Sequence, residues 1–143
     1  MKMREVMQRL EEREVPVVFD DSRIDQVIEK IVRFPHARLI YVTDHKQRLK
    51  GTITVGSLLR HLFPYHYEGK IHGRGILRNI TAQKARDLMD SQNILAVPDE
   101  EVDEVLERMA KSGVKEMAIV DDNCRILADI TAVDLLRYYH LKE

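Results

Sequence analysis

The chain has 143 residues, enough for one compact domain with a real core. Its 23 basic and 24 acidic side chains leave a net charge of −1, no electrostatic footprint for nucleic acid, which argues against that partner class. No apolar run approaches the ~20 residues of a membrane span, the opening MKMREVMQRLEE is no signal peptide, and the single Cys124 cannot form an internal disulfide, so a cytoplasmic protein is expected.

In chain order, the first predicted strand starts at Val15 in VPVVF. A helix follows, with Ile24, Val27, Ile28 and Ile31 at the i, i+3, i+4, i+7 spacing of an amphipathic stripe. LIYV (Leu39–Val42) reads as a second strand, TDHKQR as a polar turn, LKGTIT as a third strand, and a closing helix carries Leu58 and Leu59. The middle segment, Phe63 to Ile80, then interrupts the pattern with three of the chain's six glycines and with Phe63, Tyr65 and Tyr67. His61, His66 and His72 do not line up on a helix, and no thiol or carboxylate completes a metal-ligand pattern, so no metal is assigned. Lys70 and Arg74 lie among glycines but lack the GxxxxGK[ST] spacing of a phosphate-binding loop, and a mobile linker is the plain reading of the segment.

The same order then recurs. REVM (Arg4–Met7) is matched by RDLM (Arg86–Met89), and the strand at Val15 by one starting at Asn93. Val102, Val105, Leu106 and Met109 repeat the helix stripe, and MAIV (Met117–Val120) the second strand. DDNCR repeats the turn, with Cys124 incidental to it. A strand with Ile126, Leu127 and Ile130 leads into a helix whose apolar stripe is Leu135, Leu136 and Tyr139. Each copy is β-α-β-β-α. A unit of fewer than about 50 residues buries too little apolar surface alone, so two copies packed about a pseudo-twofold axis are predicted. By repeat, the chain divides into 1–62, a connecting segment 63–80, and 81–143.

Thr131 and Asp134 stand three residues apart where the last strand becomes the last helix. As a helix cap, Thr131 is the N-cap and Asp134 an acid at N3 that offsets the macrodipole. As a polar site, a hydroxyl and a carboxylate meet at a helix N-terminus. A carboxylate accepts hydrogen bonds from vicinal hydroxyls, so the second reading suits a ribose.

The unit resembles the cystathionine-β-synthase (CBS) domain, and the tandem pair resembles a Bateman module. The resemblance rests on REVM and RDLM, the two helix stripes, LIYVTD and MAIVDD, and the closing GTITVGSLL and ADITAVDLL. It covers nearly the whole chain apart from the middle. It implies an α/β (α+β) fold and a regulatory module binding an adenosine compound in a cleft between the repeats. The ligand class it implies is AMP, ADP, ATP, NAD or S-adenosylmethionine. The family's ribose contacts fall on Thr131 and Asp134, with Val15, Pro16, His36, Ala37 and Arg38 as walls and Lys115 as a phosphate-facing base. A second, weaker pocket would use Thr54 and Ser57, with Ile94 and Ala96 as its wall. Two positions depart from the family pattern: Ser57 stands where aspartate is common and Ala128 where glycine is common. Glu116, beside Lys115, is acidic where many relatives are basic.

The sequence shows no Ser-His-Asp arrangement, no clustered metal ligands and no carboxylate pair in a shared apolar setting, which argues against an enzyme. Two readings remain: a nucleotide-sensing module, and a structural dimerisation or adaptor domain without a nucleotide. Either is expected to form a homodimer, with Leu62, Phe63, Tyr139 and Leu141 as interface groups. Signal output would pass through that dimer or a separate effector protein.

Overall fold

The computed structural model describes residues 1–10, 13–64 and 82–139. Tyr65, Tyr67, His66, His72, Lys70, Arg74 and Leu141 lie outside the described residues, as does most of the connecting segment. In chain order the elements are α1 (Met3–Arg9), β1 (Val17–Phe19), α2 (Ile24–Ile31), β2 (Leu39–Thr43), β3 (Leu49–Thr54) and α3 (Val55–Leu62). Then come α4 (Ala85–Leu88), β4 (Leu95–Ala96), α5 (Val102–Ser112), β5 (Glu116–Val120), β6 (Ile126–Thr131) and α6 (Ala132–Tyr139). The fold is α/β, with two repeated three-stranded mixed sheets plus helices. The first has the order β1-β2-β3 and the second β4-β5-β6. In each, the first strand is parallel to the middle one and the last is antiparallel to it.

Strand position explains the residue patterns. A middle strand covered on both faces reads as an unbroken apolar run. All five residues of β2 are buried, as are four of the five in β5. The edge strand β3 alternates instead, with Leu49, Gly51 and Ile53 buried and Lys50 and Thr54 exposed. Both hairpins turn the same way. The Asp44 carboxylate accepts from the N–H groups of Lys46 and Arg48, and Asp121 from those of Asn123 and Arg125. Gln47 and Cys124 take φ of 67° and 61° at equivalent turn positions.

The helix stripes read from the sequence face their cores. Ile24, Val27 and Ile31 are buried with Ile28 partly packed, and so are Val102, Val105 and Met109 with Leu106 partly packed. Gly113 ends α5 in the left-handed region at φ 72°, where its N–H reaches the Met109 carbonyl at 2.9 Å. The closing helices depart from expectation. Leu58 and Leu135 are buried, but Leu59, Leu136 and Tyr139 are 42%, 50% and 53% exposed. Adjacent residues lie about 100° apart around a helix, so α6 rests on its core through Leu135 and leaves a second apolar row uncovered.

The chain folds into two compact units, Met1–Glu14 with Ile94–Glu143, and Val15–Asn93. The short helices that precede each repeat are the cause. Met3 and Val6 of α1 are fully buried in the core built by the second repeat, and Ala85 and Leu88 of α4 in the core of the first. The docking bonds correspond. Met3 N–H donates to the Glu100 carbonyl at 2.8 Å and Arg4 N–H to that of Pro98 at 2.9 Å, while Ala85 N–H donates to Ser22 at 2.7 Å and Arg86 N–H to Asp20 at 2.9 Å.

The residues after α4 also seal the edge of β3. Thr52 and Asp90 exchange backbone hydrogen bonds of 3.0 and 2.8 Å. A Cβ on Gly51 would lie 2.6 Å from the Asp90 carbonyl oxygen and 2.9 Å from Met89 Sδ. Glycine is needed there because another backbone passes close by. Ala128 holds the equivalent position in the second hairpin, opposite Ile119 as Gly51 is opposite Val42, and packs against its core. Gly51→Ala is therefore expected to cost about 1–3 kcal/mol and Ala128→Gly about 1 kcal/mol or less. Urea unfolding of both variants against the parent checks that order.

Candidate functional site

Both strand-to-helix turns use one design. Thr131 closes β6 opposite Glu116 and caps α6. Its N–H donates to Asp134 Oδ2 at 2.9 Å, and the Asp134 N–H donates to Thr131 Oγ1 at 3.2 Å. This is a reciprocal capping box with aspartate as the acid. The next amide, Ala132 N–H, donates to the Lys115 carbonyl at 2.8 Å, tying the turn to the entry of β5. In the first unit Val55 N–H donates to the Arg38 carbonyl at 3.1 Å, and Ser57 N–H to Thr54 Oγ1 at 3.1 Å. There the second hydroxyl replaces the carboxylate, 3.1 Å from Thr54 Oγ1, and accepts from Arg60 Nη2 at 3.2 Å.

Asp134 has a further partner. Arg13 Nη2 donates to Asp134 Oδ2 at 2.7 Å and to the Asp129 carbonyl at 2.7 Å, and lies 3.6 Å from Asp129 Oδ2. The Asp134 side chain is 15% exposed and that of Asp129 is 8% exposed. Burial pushes the Asp134 carboxyl up, but the Thr131 N–H and the Arg13 guanidinium outweigh it and hold the group below the usual aspartate range. Burial works against the Arg13 charge too, but the bond to Asp134 together with the charges of Asp134, Asp129 and Glu116 outweighs it, so the arginine is raised. The Arg13 and Thr131 N–H donors both land on Oδ2, and the Thr131 hydroxyl adds a further side-chain hydrogen bond to the carboxylate.

The other residues singled out from the sequence gather by unit. In the first, Pro16 is buried and its carbonyl accepts from Tyr41 N–H at 2.9 Å, with Val15 half-buried beside it. His36 and Arg38 are exposed and Ala37 half-buried, leading into β2. Leu39 is opposite Thr54, so one end of this sheet collects Val15, Pro16, His36, Ala37, Arg38, Thr54 and Ser57. In the second, half-buried Ile94 precedes β4 and Lys115 precedes β5, so Ile94, Lys115, Thr131 and Asp134 share the matching end, with Ala96 buried further in.

The CBS-domain family profile matches residues 2–64 and 85–141. The chain belongs to the CBS-domain family. It carries two CBS domains, a tandem pair or Bateman module. A CBS domain-containing protein of Thermotoga maritima, tm0935, superposes with a TM-score of 0.77 at 24% identity, over 100% of this chain and 96% of that one. CBSX2 in complex with AMP gives 0.75 at 15% identity, over 99% and 98% of the two chains. The CBS domain pair of MJ0100 in complex with 5′-methylthioadenosine and S-adenosyl-L-methionine gives 0.71 at 18%, over 100% and 98%. At these identities the likeness is one of fold. The chain spans less than half of two curated relatives from Methanocaldococcus jannaschii, 44% of one and 36% of the other.

Two participants of the CBS pair escaped the sequence reading. Arg13 stands in EEREV, a stretch with no motif or periodicity, and its role depends on chain entry into the unit of the second repeat. Asp129 is one of three acids in the turn and strand before α6, and only pairing with Ala118 places it beside the guanidinium. Elsewhere, Asp20, Asp21 and His45 each place one ligand atom within 4.8 Å of the others. His45 Nε2 is 2.7 Å from Asp21 Oδ2, and its ring stacks on Phe19 at 4.4 Å, so pairing and stacking already account for this exposed group.

The depressed Asp134 carboxyl links stability to pH. A group held below its unfolded value contributes fully above that value, and the contribution is lost as pH falls through the folded one. Between pH 6 and pH 3, therefore, the parent is expected to lose more unfolding free energy than Asp134→Asn. Urea titrations of both proteins at the two pH values measure the difference.

Proposed function

We propose that this CBS pair is a regulatory, non-catalytic module that binds an adenosine-containing ligand, with Thr131 and Asp134 as the ribose contacts. One observation carries the reading: at a helix N-terminus the Asp134 carboxyl is kept below the usual aspartate range, against burial, by the Thr131 N–H and the Arg13 guanidinium on Oδ2. A charged acceptor of this kind bonds sugar hydroxyls strongly. The AMP, 5′-methylthioadenosine and S-adenosyl-L-methionine complexes of fold relatives support the ligand class. Lys115 is proposed as the phosphate-facing base, and Val15, Pro16, His36, Ala37 and Arg38 as further ligand contacts. Thr54 and Ser57, with Ile94 and Ala96, form the weaker second site, because a neutral hydroxyl replaces the carboxylate.

The proposed assembly is a homodimer that passes the ligand signal on, itself or through an effector protein. Exposed apolar rows support it: Val55, Leu59, Leu62 and Phe63 at α3, and Val133, Leu136 and Tyr139 on α6. Rows of this size seldom stay in water. A monomer at micromolar concentration in light scattering would contradict it.

The second reading, a structural dimerisation or adaptor domain, is favoured by the capping box, which already gives Asp134 a structural task. Asp134→Asn separates the two. Under the ligand reading the variant is expected to lose about 1.5–3 kcal/mol of AMP affinity, the range for hydrogen bonds to a charged group. Its melting temperature should change much less, since asparagine can still accept at a cap. Ser57→Asn should affect affinity less. Titration calorimetry beside melting curves decides it: equal affinity in parent and Asp134→Asn, with lowered melting, would leave the carboxylate as a cap only.

A further inference from the structure

We infer that Arg13 is a further ligand-contacting side chain of the Asp134 site, one that reads negative charge on the adenosine ligand; the inference rests on Asp134 being the ribose acceptor. A guanidinium has five N–H donors. Both hydrogen bonds that Arg13 makes within the protein use Nη2, to Asp134 Oδ2 and to the Asp129 carbonyl. The Nε–H and the two Nη1–H groups have no acceptor among the described residues, and the side chain is 42% exposed. A half-buried carboxylate, Asp134, and guanidinium donors without an acceptor among the described residues therefore belong to one ion pair. Ribose hydroxyls are donors suited to the first, and phosphate oxygens are acceptors suited to the second. The two bonds through Nη2 already fix the arginine, so little further ordering is needed when an anion arrives.

Local charge gives Arg13 a reason to be there. Three acids, Glu116, Asp129 and Asp134, act on its guanidinium. Glu116 is opposite Thr131 and Asp129 is opposite Ala118; in the first repeat the equivalent positions are Leu39, opposite Thr54, and Thr52, opposite Tyr41. With Ser57 in place of Asp134, none of the three equivalents is charged. The second repeat thus gathers carboxylates that would repel a phosphate, and Arg13 is the cation joined to two of them. An arginine that only locked the Asp134 side chain would affect neutral and anionic ligands alike. One that reads charge separates them.

Calorimetric titration of the full chain with adenosine and with AMP, in one low-salt buffer, tests this on the parent, Arg13→Gln, Arg13→Lys and Asp134→Asn. Arg13→Gln is expected to weaken AMP binding about 10- to 100-fold, the worth of one charge-assisted hydrogen bond. Its adenosine affinity should change less than about threefold, within the range for a lost surface ion pair. Arg13→Lys should keep part of the preference for AMP, and added salt should narrow the gap in the parent. Equal losses for the two ligands, or unchanged AMP affinity, in Arg13→Gln would overturn the assignment while leaving the ribose reading in place. A parent that binds neither ligand, or an Asp134→Asn variant that binds both as the parent does, would overturn the ribose reading and this inference with it.

Discussion

The reciprocal hydrogen bonds between Thr131 and Asp134 are the constraint on which the strand-to-helix turn of the second unit depends. β6 becomes α6 with no intervening loop, so the first amides of the helix lose their strand partners and have no intrahelical ones. Thr131 Oγ1 accepts one of these, and the Lys115 carbonyl accepts another. The Asp134 carboxylate in turn takes the Thr131 N–H. A cap built this way fixes a charged oxygen at the positive end of a helix. Under the proposed reading, capping and ligand recognition draw on one arrangement of atoms.

Duplication explains the rest of the architecture, and divergence at the same turn explains the difference between its halves. The bond from the first helical amide to the carbonyl before the middle strand occurs in both units, as do the slipped hairpins and the docked short helix. What changed is charge. The first unit keeps hydroxyls at its turn, bonded to Arg60 from the same helix. The second has a carboxylate there, bonded to an arginine from the opposite end of the chain. Burying two aspartates side by side is costly without a partner, and Arg13 reaches both.

Much of this was legible in the sequence. Period-2 and period-3.6 patterns, read twice, gave the strand and helix order, because each core is built from local apolar stripes such as Ile24, Val27 and Ile31. The capping pair Thr131–Asp134 was legible because its bonds span only three residues. Less could be read where partners are far apart in the chain. Arg13 meets Asp134 across 121 residues. The need for glycine at position 51 comes from the passing backbone of Asp90. The membership of α1 in the unit of the second repeat was also hidden, since REVM and RDLM are alike and spacing does not say which sheet each will cover. Leu136 and Tyr139 misled for a related reason: an apolar residue near a core stripe carries no mark of whether it faces that core.

The central claim is that the turn at Thr131–Asp134 receives an adenosine ligand. Its two amides report on it directly, because each is bonded to the other residue's side chain. An amide-resolved NMR titration of the isotope-labelled chain with AMP is the most direct measurement. The account predicts that the Thr131 and Asp134 amides, with the Arg13 side-chain Nε–H, shift most and saturate with a common dissociation constant. Saturable shifts elsewhere that leave these three signals unmoved, or no shifts at all, would contradict it.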